Sequence, residues 1–331
     1  MTAEYCKRPF EEIEISNTGE VYTCCPNWNN FYSIGNIYKN SFNEIWNSQK
    51  AIDLRKRIMN KDYSLCDKQG CIYLKQNDFN SPYTTNCMPV MEEYPKTVKF
   101  VYDYECNIAC KICRDHIKRL PDEDLNLLNS KIDTFFLPFL QSAKVLIINA
   151  YGDPFGSRHS RLVIKKAAEK YPDLKFDFHT NGILCNETNF AALNISPEKI
   201  SKIRISIHAA TKETYGKIVP TGELLFPKIK ENLIYLSKLK KQYNFPVYIH
   251  FVVSSTNYKE IPQFIELAEE VNASPRFWEF RQENCSYQMK ENLYVVRKDH
   301  PLHQDLLKVL QNKKVKENKD FFSPSLYDLI D

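Results

Sequence analysis

Short apolar segments alternate with amphipathic ones from Lys96 onward, and this alternation is the dominant pattern of the chain. Six apolar runs have the length and the β-branched or aromatic content of buried strands, at residues 97–104, 144–150, 174–180, 202–209, 246–253 and 275–281. Segments with helical periodicity lie between and after them, at residues 122–140, 158–171, 186–193, 224–243, 258–272 and 300–314. Because apolar strands joined by helical crossovers pair in parallel, the pattern predicts an α/β fold, a partial (β/α)6 barrel of the TIM type.

The first 92 residues have a different pattern. Residues 11–16 and 20–25 read as two short strands of a hairpin around the turn Asn17–Gly19. Residues 41–60 read as one amphipathic helix with Ser41 as its N-cap. We therefore expect a small N-terminal domain at residues 1–92, a barrel at 93–285 and a helical extension at 286–331.

Charge and hydropathy exclude two classes of partner. The net charge of +4 is small for 331 residues, whereas a nucleic-acid-binding protein would carry a strongly basic face. No apolar run reaches the roughly 18 residues that span a membrane, and the first 15 residues contain no apolar core of a signal peptide. The sequence predicts a cytoplasmic protein with no nucleic-acid or membrane partner.

Cysteines are concentrated in the first third of the chain, where nine of the 11 precede residue 114. In a reducing compartment such clustering points to metal binding rather than to disulfides. The tightest group is Cys106, Cys110 and Cys113, directly after the first strand of the predicted barrel. Three thiolates would leave one iron of a [4Fe–4S] cluster open to another ligand. The alternative is a structural zinc site with His116 as its fourth ligand.

The spacing CxxxCxxC at this place in a six-unit β/α pattern resembles the radical S-adenosylmethionine (SAM) superfamily, over residues 96–285. The resemblance implies a [4Fe–4S] cluster on Cys106, Cys110 and Cys113. It further implies that SAM binds to the open iron and is cleaved reductively to a 5′-deoxyadenosyl radical, which abstracts a hydrogen atom from a substrate.

Further landmarks of that family follow the next strands. Tyr151-Gly152-Asp153-Pro154 is similar to the GGEP segment that binds the SAM amino group, and Thr180-Asn181-Gly182 is similar to a TNG turn. Ser206-Ile207-His208-Ala209, followed by KETYGKI, resembles the SIDG…ETYxxIR pattern of the peptide- and sulfatase-modifying branch. The SAM-binding residues that the resemblance implies are Ile112, Tyr151, Gly152, Asp153, Pro154, Thr180, Asn181, Ser206 and His208.

Two positions depart from the family pattern. The aromatic residue usually found before the third cysteine is Ile112, which would cover the adenine without stacking on it. The arginine that would pair with the SAM carboxylate falls at Val219, so Lys217 or Arg204 would take its place.

The N-terminal cysteines form a second candidate centre. Cys6 and Cys24 bracket the predicted hairpin and its turn glycine, Cys66 and Cys71 follow the predicted helix, and Cys25 and Cys87 are alternates. The arrangement resembles a SPASM or twitch auxiliary-cluster domain, which usually follows the barrel but precedes it here. The resemblance implies a second, fully ligated [4Fe–4S] cluster, whereas the spacing alone also permits a four-cysteine zinc module.

The resemblance implies an enzyme, a radical SAM oxidoreductase or peptide-modifying enzyme. Its expected substrate is a peptide in ribosomal-peptide maturation, and the alternative is a sugar or cyclitol acted on by a dehydrogenase or epimerase. Cys185, after the third strand, is the candidate hydrogen-atom donor, and flavodoxin or ferredoxin is the expected electron donor. A zinc-stabilised binding protein without redox chemistry is the alternative from another class.

Overall fold

Nine strands and thirteen α-helices make up the described part of the computed structural model, which comprises residues 4–148, 151–281 and 292–330. The strands are β1 (Glu12–Ile15), β2 (Glu20–Tyr22), β3 (Gly35–Asn36), β4 (Thr97–Phe100), β5 (Val145–Ile148), β6 (Lys175–Thr180), β7 (Ile200–Ser206), β8 (Val247–Val253) and β9 (Ser274–Glu279). The helices are α1 (Arg8–Glu11), α2 (Phe42–Trp46), α3 (Gln49–Met59), α4 (Ile72–Gln76), α5 (Asp122–Ser130), α6 (Arg158–Lys170), α7 (Glu187–Ala192), α8 (Lys212–Ile218), α9 (Gly222–Tyr243), α10 (Ile261–Glu270), α11 (His303–Leu310), α12 (Lys313–Glu317) and α13 (Pro324–Tyr327).

The strands form one mostly parallel sheet in the order β3-β2-β1-β4-β5-β6-β7-β8-β9. The six strands predicted for the partial barrel are β4 to β9, each shorter than its apolar run but in the predicted place. The predicted α/β class is therefore confirmed. No helix within the described ranges has both the length and the hydropathy to cross a membrane.

The chain divides into two compact units. The first comprises residues 1–104, 120–152 and 157–177, and the second comprises residues 105–119, 153–156 and 178–331. The predicted boundaries after residues 92 and 285 stay a prediction, and residues 282–291, which include Cys285, lie outside the described residues.

In the first unit the N-terminal hairpin is continuous with the sheet. β1 pairs antiparallel with β2 and parallel with β4, where Glu12 lies opposite Thr97 and Ile15 opposite Phe100. Lys99 of β4 makes an ion pair with Glu12 at 3.0 Å. Burial alone would raise the pKa of Glu12, but Lys99 and Arg8 hold it below its usual value. This buried ion pair joins the cysteine-rich segment to β4.

The helix predicted at residues 41–60 is two helices, α2 and α3, separated at Asn47–Ser48. Ser41 and Glu44 form a capping box at the start of α2, and the Ser48 hydroxyl accepts a hydrogen bond from the Ala51 amide at the start of α3. Because a second capped N-terminus begins at Ser48, the chain starts a new helix there rather than continuing the first.

In the second unit the strands β7, β8 and β9 pair in parallel and bury alternate residues against helices. Phe251 of β8 packs edge-on against Phe264 of α10, with ring centroids 4.7 Å apart. Phe277 of β9 stacks on Phe322 at 4.2 Å. These apolar side chains cover one face of the three strands. Because successive side chains of a strand point to opposite faces, the residues between them lie on the other face.

Candidate functional site

The segment after β4 carries the three clustered cysteines in a single loop. Cys106 is buried, and Cys110 and Cys113 are half-buried. A turn places the last two together, because the amides of Cys113 and Arg114 both donate to the Cys110 carbonyl at 2.8 Å. The Arg114 guanidinium donates to the Cys113 sulfur at 3.5 Å. The structure thus brings the three predicted ligands into one compact loop.

Asp153 is the organising residue next to this loop, buried and 1% exposed. One carboxylate oxygen accepts hydrogen bonds from the amides of Phe155 and Gly156, both at 3.0 Å. The other accepts from the Thr180 hydroxyl and the Asn181 amide, both at 2.7 Å. Since a carboxylate offers about four acceptor positions, the protein itself uses the full capacity of Asp153.

Asn181 carries this network to the cysteine loop. Its side-chain amide donates to the Asn107 side chain at 2.8 Å and lies 3.8 Å from the Cys106 sulfur. Gly182 follows with φ +82°, and a Cβ there would lie 2.6 Å from Ile205. Gly156 also approaches closely, because a Cβ there would lie 2.7 Å from the Asn107 side-chain oxygen. The predicted Asp153 and Thr180-Asn181-Gly182 landmarks therefore meet at Cys106.

The thiols and a neighbouring phenol lie in a low-dielectric environment. Burial, with a smaller effect of Asp153, raises the pKa of the Cys106 thiol to about 11. Burial raises the pKa of Cys110 still further. Tyr215 of α8 is 1% exposed, and its pKa is raised by burial and by Cys110, Cys106 and Asp153. Its hydroxyl has no hydrogen-bond partner among the described residues, and sequence reasoning did not identify it as a site residue.

The other residues predicted to bind SAM lie in different settings. Ser206 is half-buried at the end of β7, and the Nδ1 atom of His208 accepts a hydrogen bond from the Val252 amide at 3.0 Å. Ile112 and Pro154 are buried, Gly152 donates its amide to the Asp103 carbonyl at 3.1 Å, and Tyr151 is 54% exposed. Their roles stay predictions.

The remaining candidates differ in exposure. Lys217 is exposed on α8, whereas Arg204 lies on β7 and contacts the His179 imidazole. Cys185 is fully buried, and burial raises its pKa well above the usual value. Its proposed role as a hydrogen-atom donor stays a prediction that its burial does not favour.

The four predicted N-terminal ligands line one cavity of the first unit, together with Arg8, Thr23, Asn29 and Tyr63. These ligands are Cys6, Cys24, Cys66 and Cys71. Burial raises the pKa of Cys6 to about 12 and that of Cys66 to about 11. Neither alternate, Cys25 nor Cys87, is among the described residues that line this cavity.

The donor set of this cavity fits an iron–sulfur cluster, which thiolates ligate and hydrogen bonds to sulfur tune. The hydroxyls of Thr23 and Tyr63 are buried there and have no hydrogen-bond partner within the described part of the chain. Arg8 is held at the cavity by Glu12 and by the Tyr73 ring, 3.7 Å away. Across the described ranges, no three Cys, His, Asp or Glu side chains are arranged as ligands of a single metal ion.

Comparison with known families identifies this segment. Residues 6–72 match the family model of SPASM, an iron–sulfur cluster-binding domain. Residues 6–72 form a SPASM domain. The match confirms the auxiliary iron–sulfur centre predicted from the cysteine spacing. The match concerns this N-terminal segment alone, and the likeness of the CxxxCxxC loop after β4 to radical SAM enzymes stays a resemblance.

Several solved structures share a distant likeness with the chain. A structure of TYW1 with a lysine–pyruvate adduct bound is 18% identical, with a TM-score of 0.40, and the match covers 67% of this chain and 74% of TYW1. Streptococcus suis SuiB bound to S-adenosylmethionine is 13% identical, with a TM-score of 0.39, over 76% of this chain and 48% of SuiB. The structure of anSMEcpe with bound AdoMet is 17% identical, with a TM-score of 0.40, over 68% of this chain and 57% of anSMEcpe.

The chain therefore spans about half the length of the SuiB and anSMEcpe chains. No curated protein sequence matches it.

Proposed function

We propose that this protein is a radical SAM enzyme that cleaves SAM at a cluster held by Cys106, Cys110 and Cys113. The observation that carries the proposal is that Asp153 and Asn181, from the segments after β5 and β6, converge on this one cysteine loop. Three thiolates in one loop leave an iron of a [4Fe–4S] cluster without a protein ligand, which is where the amino and carboxylate groups of SAM would bind.

The cluster, when bound, would supply the electron for cleavage of SAM into methionine and a 5′-deoxyadenosyl radical, and this radical would abstract a substrate hydrogen atom. The protein contributes orientation and charge. The Asn181 amide and the Arg114 guanidinium lie near the sulfurs of Cys106 and Cys113, so both favour the thiolate form that ligates iron. Asp153 holds the segments after β5 and β6 in register rather than offering an unused carboxylate to SAM.

We propose a peptide as the substrate, because the segment from Ser206 to the KETYGKI motif resembles the peptide- and sulfatase-modifying branch. The cluster of the SPASM domain would accept an electron from the substrate radical, which favours a net oxidation of the substrate. An external one-electron donor such as flavodoxin or ferredoxin would reduce the cluster of the cysteine loop. A cytoplasmic location is part of the same proposal.

The proposal is tested with anaerobically prepared protein. Wild type should be brown, contain about eight iron atoms per chain, and form 5′-deoxyadenosine when it is given SAM and dithionite. The variant in which Cys106, Cys110 and Cys113 are all changed to Ala should lose 5′-deoxyadenosine formation and keep about four iron atoms in the SPASM domain.

The matched control is the double variant C25A/C87A, which removes thiols outside the described lining of the SPASM cavity. It should keep both the iron content and SAM cleavage. Retained 5′-deoxyadenosine formation in the triple variant, or colourless wild-type protein with stoichiometric zinc, would refute the proposal.

A further inference from the structure

One face of β7, β8 and β9 is basic. Their buried side chains, such as Ile205, Phe251 and Phe277, pack against the helices of the second unit. The residues of opposite parity are half-buried or exposed and include three cations, Lys202, Arg204 and Arg276. We call the set Lys202, Arg204, Tyr248, His250 and Arg276 the basic strand face.

The strand register makes these side chains neighbours. Arg204 lies opposite Tyr248, and His250 lies opposite Arg276. Lys202 and Arg276 both lie over the Tyr248 ring, at 5.8 and 4.8 Å from its centroid. Since adjacent strands are about 4.8 Å apart, side chains at these positions can contact a single bound group.

Arg276 is held in place without losing its charge. Its guanidinium lies between two rings, 4.8 Å from the Tyr248 centroid and 4.9 Å from the Phe321 centroid. It donates one hydrogen bond, to the neighbouring Pro275 carbonyl at 3.0 Å. Among the described residues no carboxylate lies within ion-pair distance of it. Aromatic rings order a guanidinium while leaving its other N–H donors available for an oxyanion.

His250 lies beside two of these cations. Burial, followed by Arg204, His208 and Arg276, lowers the pKa of His250 to about 3, so its imidazole is neutral at pH 7. The rings of His179 and His250 meet edge to face, with centroids 5.8 Å apart. A neutral imidazole can donate a hydrogen bond to an anion without a further change in charge.

Acidic residues are rare within these three strands. Glu279 is the one carboxylate within β7, β8 and β9. It has the parity of the buried residues and makes an ion pair with Arg281.

We propose that the basic strand face binds an oxyanion group of the substrate, a phosphate or a carboxylate, with Arg276 as its principal ligand. The inference rests on the proposed function, because it names the chemistry of the substrate for that site. By the strand register, Arg276 lies opposite His250 and His250 opposite Ser206, so the principal ligand is level with the end of β7, and Arg204 lies roughly 7 Å before that end.

The test uses holoenzyme and isothermal titration calorimetry. The probes are inorganic phosphate, which stands for a phosphorylated small molecule, and N-acetylglutamate, which stands for an acidic peptide side chain. Wild type should bind one probe saturably. R276Q should weaken that binding by about tenfold or more, because the bidentate guanidinium is lost, and R276K should recover part of it. The matched control is K238Q, which removes one positive charge from an exposed position of α9 and should bind as wild type does.

Stronger binding of phosphate would identify a phosphorylated substrate, and stronger binding of N-acetylglutamate an acidic peptide; either result supports the inference. No saturable binding of either probe, or equal binding by wild type and R276Q, would overturn it. Iron content and 5′-deoxyadenosine formation without substrate are measured on the same samples. If wild type does not cleave SAM, the proposed function is wrong. The anion site is decided by the binding data alone.

Discussion

Asp153 shows what single residues contribute to this site. Its place after the second barrel strand predicts an acceptor near SAM, and the position of the landmark is as the sequence indicates. What the sequence could not reveal is where its lone pairs go, because two of its partners, Thr180 and Asn181, lie 27 and 28 residues further along the chain. Hydrogen bonds of this kind depend on tertiary structure and leave no local pattern.

We expect D153N to lower the free energy of unfolding by about 2 kcal/mol or more, because an amide nitrogen would replace one acceptor and leave a buried donor unsatisfied. Urea unfolding of the cluster-free protein measures the change. The matched control is D133N, which makes the same substitution at an exposed ion pair with Lys166 and should cost less than about 1 kcal/mol. Equal effects of the two substitutions would show that the buried network is not stabilising.

Tyr215 gives a second prediction, because its buried hydroxyl lacks a partner among the described residues. In the cluster-free protein Y215F should leave stability unchanged or slightly higher, since it removes an unsatisfied polar group. In the loaded protein we expect the Tyr215 hydroxyl to donate a hydrogen bond to the loop cluster, so its removal should make the reduction potential of that cluster more negative. A redox titration monitored by EPR measures the potential. A destabilised cluster-free protein with an unchanged potential would contradict this role.

At the scale of elements, periodicity found the strands and the long helices but missed breaks within them. The segment predicted as one helix at residues 122–140 is α5 followed by a π-helical turn, Ile132–Phe136, and a 3₁₀ turn, Leu137–Leu140. Pro138 lies in the 3₁₀ turn and cannot donate to a helix hydrogen bond. Apolar residues keep a nearly helical spacing through π-helical and 3₁₀ turns. Hydrophobic periodicity alone therefore does not show where one helix type changes into another.

The turn after β7 leads to a pH prediction. His208 has φ +62°, and burial lowers its pKa to about 4. Because the unfolded state binds a proton near pH 6.5 and the folded state does not, stability falls as the pH drops from about 6.5 towards 4. His250 should act in the same direction. H208N keeps a side-chain acceptor for the Val252 amide and tolerates the left-handed backbone, so its stability should depend less on pH.

Urea unfolding of the cluster-free protein at pH 7 and pH 5.5 measures this dependence. H116N is the control, because His116 is 68% exposed, and it should keep the wild-type pH dependence. If H208N loses as much stability as wild type between the two pH values, another group is responsible.

At the scale of the whole molecule, the cysteine-rich segment is continuous with the sheet. The sequence predicts a separate module at residues 1–92, since the composition changes there and the hairpin is local. The parallel pairing of β1 with β4 could not be predicted, because its partner residues are 85 positions apart and short strands do not specify their distant neighbours.

This pairing predicts the result of a truncation. A chain of residues 93–331 should be largely insoluble, because β4 would lose its pairing with β1 and Lys99 its buried partner Glu12. Size-exclusion chromatography and circular dichroism check this, with a chain that lacks only residues 1–5 as the control. A soluble monomer of residues 93–331 with native secondary structure would instead support the boundary predicted after residue 92.

The distance between β1 and β4 along the chain also bears on protein synthesis. A ribosome that adds 5–20 residues per second needs on the order of ten seconds to pass from Ile15 to Thr97. During that interval the hairpin of β1 and β2 has emerged with one edge unpaired and its thiols uncovered. Iron delivered before Cys66 and Cys71 emerge would meet only part of the predicted ligand set, so cofactor insertion should follow translation of the cavity-lining residues up to Leu74 rather than accompany it.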